Sequence, residues 1–255
     1  MQLTCKKDAR DLMNFTVKFG RIMLFYGAEI YRVEDTIYRI LSSFEKNQTV
    51  NVLVSYNFIL VSLIYEGSNM TTMRRVNIGD KNLEKISLLN NLSRRIVAGE
   101  VEDLDCAFFT LKAIRNTKPY KDITVVLALV ISAPFFAVMF GGTFEDYIYS
   151  FIIMALEAYF LIYATKYKLM FYLSNFLGAL IATVGTNWLA NYFPIQNPQS
   201  IIIVGLMPLV PGVQITNSVR DFMAGDYMSG LVGTMAASFI SIAIALGVVL
   251  GLRLS

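Results

Sequence analysis

From Ala9 to Phe44 apolar residues recur at helical spacing. Leu12, Phe15, Phe19, Ile22 and Tyr26 share one helix face, and Ile30, Val33, Ile37, Ile40 and Phe44 share another. Gly27 lies between the two sets and marks a break or a close helix contact. Three short β-rich runs follow, Thr49–Tyr56, Phe58–Glu66 and Thr71–Ile78, separated by Asn57, by Gly67-Ser68-Asn69 and closed by Gly79-Asp80. They predict a small antiparallel sheet. Lys81–Gly99 reads as an amphipathic helix stopped by its glycine, and Glu102–Asn116 as a further short helix. Pro119 marks a boundary, so residues 1–118 are expected to form an α+β domain with its own core.

Beyond that boundary the polar–apolar rhythm is replaced by five hydrophobic runs: Ile123–Phe140, Tyr147–Thr165, Leu169–Phe193, Ile201–Val219 and Ser229–Leu252. Each approaches the roughly 20 residues that cross a hydrocarbon core of about 30 Å. Residues 119–255 are therefore expected to form an α-helical integral membrane bundle of about five transmembrane helices. Small residues along these runs predict close helix packing: Gly178, Ala182 and Gly185 in the third, Gly247 and Gly251 in the fifth.

Charge sharpens this division. Of 22 Lys+Arg and 19 Asp+Glu, only Glu145, Asp146, Glu157, Lys166, Lys168, Arg220, Asp221, Asp226 and Arg253 lie after Asp122. A segment so poor in charge suits lipid. The loops alternate: GGTFED is acidic, the next holds Lys166 and Lys168, PIQNPQ is uncharged, and the last holds Arg220. The basic loops fall on the side of the N-terminal domain, which the positive-inside rule makes cytoplasmic. Multi-pass membrane insertion is expected, with the N-terminus in the cytoplasm. The start, MQLTCKKDARD, has no apolar stretch, so no cleavable signal peptide is expected.

Composition narrows the chemistry. There is no histidine, and the net charge is only +3. Imidazole-based catalysis is thereby excluded, and the charge is too mild for a nucleic-acid binder. Cys5 and Cys106 are too few for a zinc site and read as reduced thiols. No glycine loop cradles phosphate, so neither a cofactor nor ATP drive is expected.

Candidate chemistry concentrates in the fourth run, Met207 to Asp221. Pro208, Pro211 and Gly212 cannot continue a regular helix. Freed carbonyls there need protein partners or a water-filled cavity. Gln214, Asn217 and Asp221 follow at helical spacing, as do Thr216 and Arg220. A half-helix starting near Gly212 would aim its N-terminal N–H groups at a small anionic or zwitterionic solute. The plainer alternative is a proline-kinked helix whose polar end meets water. Glu157 lies near the middle of the second run, where an ionised carboxylate must be protonated, paired or facing an aqueous path. It is either an ion-coupling group or a neutral acid bonded to a neighbour such as Asn175. Asn175, Thr183, Thr186 and Asn187 of the third run line the same cavity or make ordinary interhelical bonds.

Two stretches, GAEIYRVEDTIYRI (Gly27–Ile40) and MPLVPGVQITNSVRDFMAGDYMSG (Met207–Gly230), resemble the two signature regions of the threonine/serine exporter (ThrE) family. The resemblance covers essentially the whole chain. It implies secondary transport of threonine, serine or succinate-like carboxylates out of the cytoplasm. It also implies a second, small five-span membrane partner or a homo-oligomer, because the chain matches only the larger half of the two-part type. The motif positions it brings forward are Gly27, Glu29, Arg32, Glu34 and Asp35, and Pro208, Pro211, Gly212, Asn217, Asp221, Gly225 and Asp226. Two other functions stay open on the residues alone. One is a non-transporting membrane scaffold or sensor with a soluble output domain. The other is a membrane-embedded enzyme built on Glu157 and Asp221, which the missing histidines disfavour.

Overall fold

The computed structural model describes residues 5–44, 49–77, 79, 81–101, 103–118 and 120–254. Ile78, Asp80, Glu102 and Pro119, on which expected element ends and the boundary fall, lie outside the described residues. The chain divides into two compact units. The first is Met1–Lys118 with Thr216–Gly233, and the second is Pro119–Ile215 with Thr234–Ser255.

In the first unit, α1 (Lys6–Phe25) and α2 (Ile30–Ser42) pack on a three-stranded antiparallel sheet in the order β1-β2-β3. The strands are β1 (Thr49–Val54), β2 (Phe58–Tyr65) and β3 (Ser68–Arg75). Central β2 alternates, burying Ile59, Val61, Leu63 and Tyr65, as a strand with one covered face must. These side chains meet Phe15 and Phe19 of α1 and Ile37 and Ile40 of α2 in one continuous core. The second hairpin is tighter than the sequence predicts. Tyr65 pairs with Ser68, leaving only Glu66 (φ 47°) and Gly67 (φ 72°) as the turn. Two successive positive φ values match the twist of the strands, so Ser68 and Asn69 join β3. The helices α3 (Leu83–Val97) and α4 (Leu104–Asn116) complete this part. Their N-caps Asn82 and Asp103 accept from Lys85 N and Cys106 N at 2.9 and 2.6 Å. Cys5 and Cys106 are free thiols.

The second unit holds α5 (Asp122–Met139), α6 (Phe144–Lys166), α7 (Phe171–Tyr192) and α8 (Pro198–Leu206). It also contains the start of α9 (Gly212–Met223) and most of α10 (Tyr227–Leu254). Helix α6 packs against α5, α7 and α8. Among the described residues three helices are long and apolar enough to cross a membrane: α5, α6 and α10. The other two expected spans differ for physical reasons. α7 has the length, 22 residues, but Asn175, Asn187, Ser174, Thr183 and Thr186 dilute its apolar character. The fourth run is two short helices, interrupted from Met207 to Pro211.

The glycine pair of α10 serves packing within the chain. A methyl group at Gly247 would strike the Phe176 carbonyl, and one at Gly251 would lie 2.7 Å from Thr183 Cβ. Gly247→Val should therefore lower the melting point of the detergent-solubilised protein, by overpacking worth about 1–3 kcal/mol. Its oligomeric state should not change; selective loss of an oligomer would contradict this assignment.

Candidate functional site

The first signature stretch and residues 216–230 of the second, some 190 residues on, meet inside the first unit. Each contains the same local device. Helix α1 ends where Ala28 N donates to Met23 O and Gly27 N to Leu24 O, both at 3.0 Å, with Gly27 at φ 87°. Helix α9 ends likewise: Asp226 N donates to Asp221 O (2.9 Å) and Gly225 N to Phe222 O (3.1 Å), with Gly225 also at φ 87°. This paired closure needs a left-handed residue, which explains glycine at both positions. An acidic residue then starts the next helix in each case, Glu29 before α2 and Asp226 before α10, where Asp226 Oδ1 accepts from Ser229 N at 3.3 Å. Gly225→Ala should cost about 1–2 kcal/mol from backbone conformation alone, since nothing lies within 4 Å of the added methyl. Gly27→Ala should cost more, because its methyl would sit 2.9 Å from Lys81 Cγ. Thermal melting of the two variants side by side checks that order.

Around these corners the charged side chains interlock. Buried Glu29 pairs through Oε1 with Arg220 of α9 and through Oε2 with Arg32, the latter at 3.1 Å. Asn217 Nδ2 donates to Gly27 O at 3.3 Å. Asp221 is 4% exposed and accepts from the Ile30 N–H at the start of α2, while its Oδ1 has no hydrogen-bond partner. Burial pushes the Asp221 carboxyl up to about 6, and repulsion from Asp226 and Glu29 adds to this against the Ile30 hydrogen bond. Glu34 accepts from Val54 N at 3.2 Å; burial raises its carboxyl too, with Asp226 again adding to the shift. Asp35 stands apart, exposed and paired with Arg39 through two contacts of 2.9 and 2.7 Å.

A second constellation lies in the second unit. Glu157 of α6 is 1% exposed and neither carboxyl oxygen has a hydrogen-bond partner. Its Oε1 lies against Gly178 of α7, where any side chain would collide with it, and Leu209 methyls approach the same point at 3.1 and 3.2 Å. Leu209 belongs to the interruption between α8 and α9, so α6, α7 and the interruption converge on this carboxyl. Asn175, the expected alternative partner, instead donates to Phe171 O of its own helix at 2.8 Å. Thr183 and Thr186 likewise bond to Ala179 O and Ala182 O, each at 2.8 Å. The interruption is packed on one side only. Leu209 is buried with Ala179, Ile240 and Ile244, and Pro211 is buried, but Val210 and Val213 are exposed and Gly212 has open space beside it. Pro208 and Gln214 are half-buried and Thr216 is exposed.

One organising residue escaped the sequence reading. Asp146 is fully buried and accepts from Thr143 N and Oγ1 (2.8 and 2.9 Å), Gln196 N (3.1 Å) and Asn197 N (3.3 Å). It fastens the α5–α6 loop to the α7–α8 loop. The signal was present as Thr143-Phe-Glu-Asp146, a hydroxyl three residues before a carboxylate at a helix start.

The model of the ThrE family, described as "Putative threonine/serine exporter", matches residues 14–255. The chain belongs to the ThrE family. A protein of Klebsiella aerogenes named "Probable succinate transporter subunit YjjP" is 20% identical over 255 residues, covering 98% of this chain and 96% of that one. No solved structure matches. Within the ThrE frame, both signature stretches have a shared structural meaning: glycine-closed helix ends followed by an acidic residue, joined by the Glu29–Arg220 pair. A transporter family and three helices fit to cross a bilayer make this a membrane protein.

Proposed function

We propose that this ThrE-family chain is one subunit of a secondary transporter exporting small carboxylates or amino acids, threonine/serine or succinate-like, across the bacterial inner membrane. The observation that carries the reading is Glu157: a carboxyl without a hydrogen-bond partner, buried in an apolar helix against a broken one. An acid so placed is costly unless it exchanges a proton or meets a cation during a cycle. Family membership and the relative named "Probable succinate transporter subunit YjjP" support the substrate class.

The substrate contacts are assigned to Pro211, Gly212, Gln214, Thr216, Asn217 and Arg220, with Glu157 and Asp221 in ion coupling. Helix α9 begins at Gly212 directly after the interruption, so the positive end of its backbone dipole lies there and favours a carboxylate. Five spans are inferred: α7 counts as one, since a transport path needs polar lining, and α8 with the start of α9, as far as Val219, as a discontinuous one. Thr216–Gly233, which carries Arg220, belongs to the same unit as the charged N-terminal part, and this supports placing both on the cytoplasmic side. The relative's designation as a subunit supports a small five-span membrane partner, or else a homo-oligomer.

Affinity purification from the native membrane tests the assembly, followed by efflux of threonine, serine and succinate from cells expressing the chain with and without what co-purifies. Export of one of these that requires both proteins is expected. If Asn217→Ala and Arg220→Ala both leave export unchanged, the contact assignment is wrong.

A further inference from the structure

We propose that the cavity between α1, the end of β3 and α4 binds a small phosphate-bearing molecule of about nucleotide size. The inference is independent of the transport reading. The cavity has a volume of about 550 Å³, within the range of small-molecule sites, and lies wholly in the first unit. Lys18 and Arg21 of α1, Arg74 of β3 and Arg115 of α4 line it, and among the described residues no acidic side chain does. Among the described residues none of these four forms an ion pair, whereas Arg32, Arg39, Arg95 and Arg220 of the same unit each have a carboxylate partner. Four cations drawn from three elements to one concave surface repel one another until an anion fills it.

A fifth positive charge stands behind the wall. Lys85 is 7% exposed; its ammonium donates to Tyr26 Oη (3.1 Å) and Arg115 O (2.8 Å) and lies 4.7 Å from the Tyr26 ring centre. It holds two wall residues in place and strengthens the positive field. Charge count and geometry select the ligand class. Guanidinium forks match carboxylate and phosphate oxygens alike, so charge decides: four cations exceed the two negative charges of a dicarboxylate and suit a polyphosphate. The rest of the wall suits a flat organic body: Val17, Ile22 and Val76 are apolar, and the Phe25 and Tyr26 rings stand edge to face 5.2 Å apart. Binding rather than hydrolysis is inferred, since the sequence has no phosphate-cradling glycine loop.

The test uses the full chain in nanodiscs of neutral lipid, titrated with ATP, pyrophosphate and succinate at two salt concentrations. Saturable binding of ATP or pyrophosphate is expected, tighter than that of succinate. R21Q/R115Q should weaken it by about a hundredfold, because each of the two lost charge-assisted pairs is worth roughly tenfold. R39Q/R95Q removes the same charge elsewhere and should leave the affinity unchanged. Equal loss in both double variants would overturn the site, as would the absence of binding by either phosphate. Capture by anionic phosphatidylglycerol vesicles without binding of soluble phosphate would also overturn it, making the face a membrane-contact surface.

Discussion

Glu157→Gln, reconstituted with the partner subunit, will exchange substrate across the membrane but will not accumulate it against a gradient. Glutamine keeps the shape that fits against Gly178 and Leu209, so the fold and the substrate path persist. What is lost is a group able to alternate between a neutral and an ionised form. Each proton coupled to a pH gradient of one unit supports up to about tenfold accumulation, since about 1.4 kcal/mol is a factor of ten. The wild type should approach that ratio, and E157Q should stay at the equilibrium ratio in the same vesicles. Paired uptake and counterflow assays read both quantities. Undiminished accumulation by E157Q would remove Glu157 from ion coupling.

Asp221→Asn will stabilise the folded protein at neutral pH and flatten its response to pH. The Asp221 carboxyl is raised to about 6 in the fold from an ordinary value of 3.8. Below about pH 4 it is protonated in folded and unfolded chains alike and costs nothing. Between there and about pH 6 the folded chain holds the extra proton, so stability falls as pH rises through that window. Above it the fold bears a buried carboxylate next to Asp226 and Glu29, a cost on the order of 3 kcal/mol. Glu34, raised for similar reasons, adds a slope of the same sign. Asparagine cannot ionise, yet its amide oxygen still accepts from the Ile30 N–H. D221N should therefore melt higher than the wild type at pH 7.5 and together with it near pH 4. Identical pH–stability curves would contradict the placement of Asp221. A more stable but less active D221N would fit a group kept acidic for transport.

Much of the secondary structure was legible because its causes are local. Gly27 and Gly99 marked helix ends, the β-rich run Phe58–Glu66 marked a strand, and Pro208, Pro211 and Gly212 broke the fourth apolar run. Helix spacing likewise placed Asn217 and Asp221 on one face of α9. Partners distant in sequence were not legible, because periodicity carries no information about them. Nothing local says that Arg220 meets Glu29, that Asp221 sits at the start of α2, or that Glu157 faces Gly178 rather than Asn175. The same holds for the cationic cavity. Lys18, Arg21, Arg74 and Arg115 read singly as solvated surface, and only the fold gathers them.

The most direct test is solute flux through purified components. Proteoliposomes containing this chain together with its co-purified membrane partner should move labelled succinate, threonine or serine, with acceleration by an imposed ion gradient. Either protein alone should give markedly less flux. Absence of flux of all three from a folded, correctly assembled complex, with or without the gradient, would contradict the transporter account.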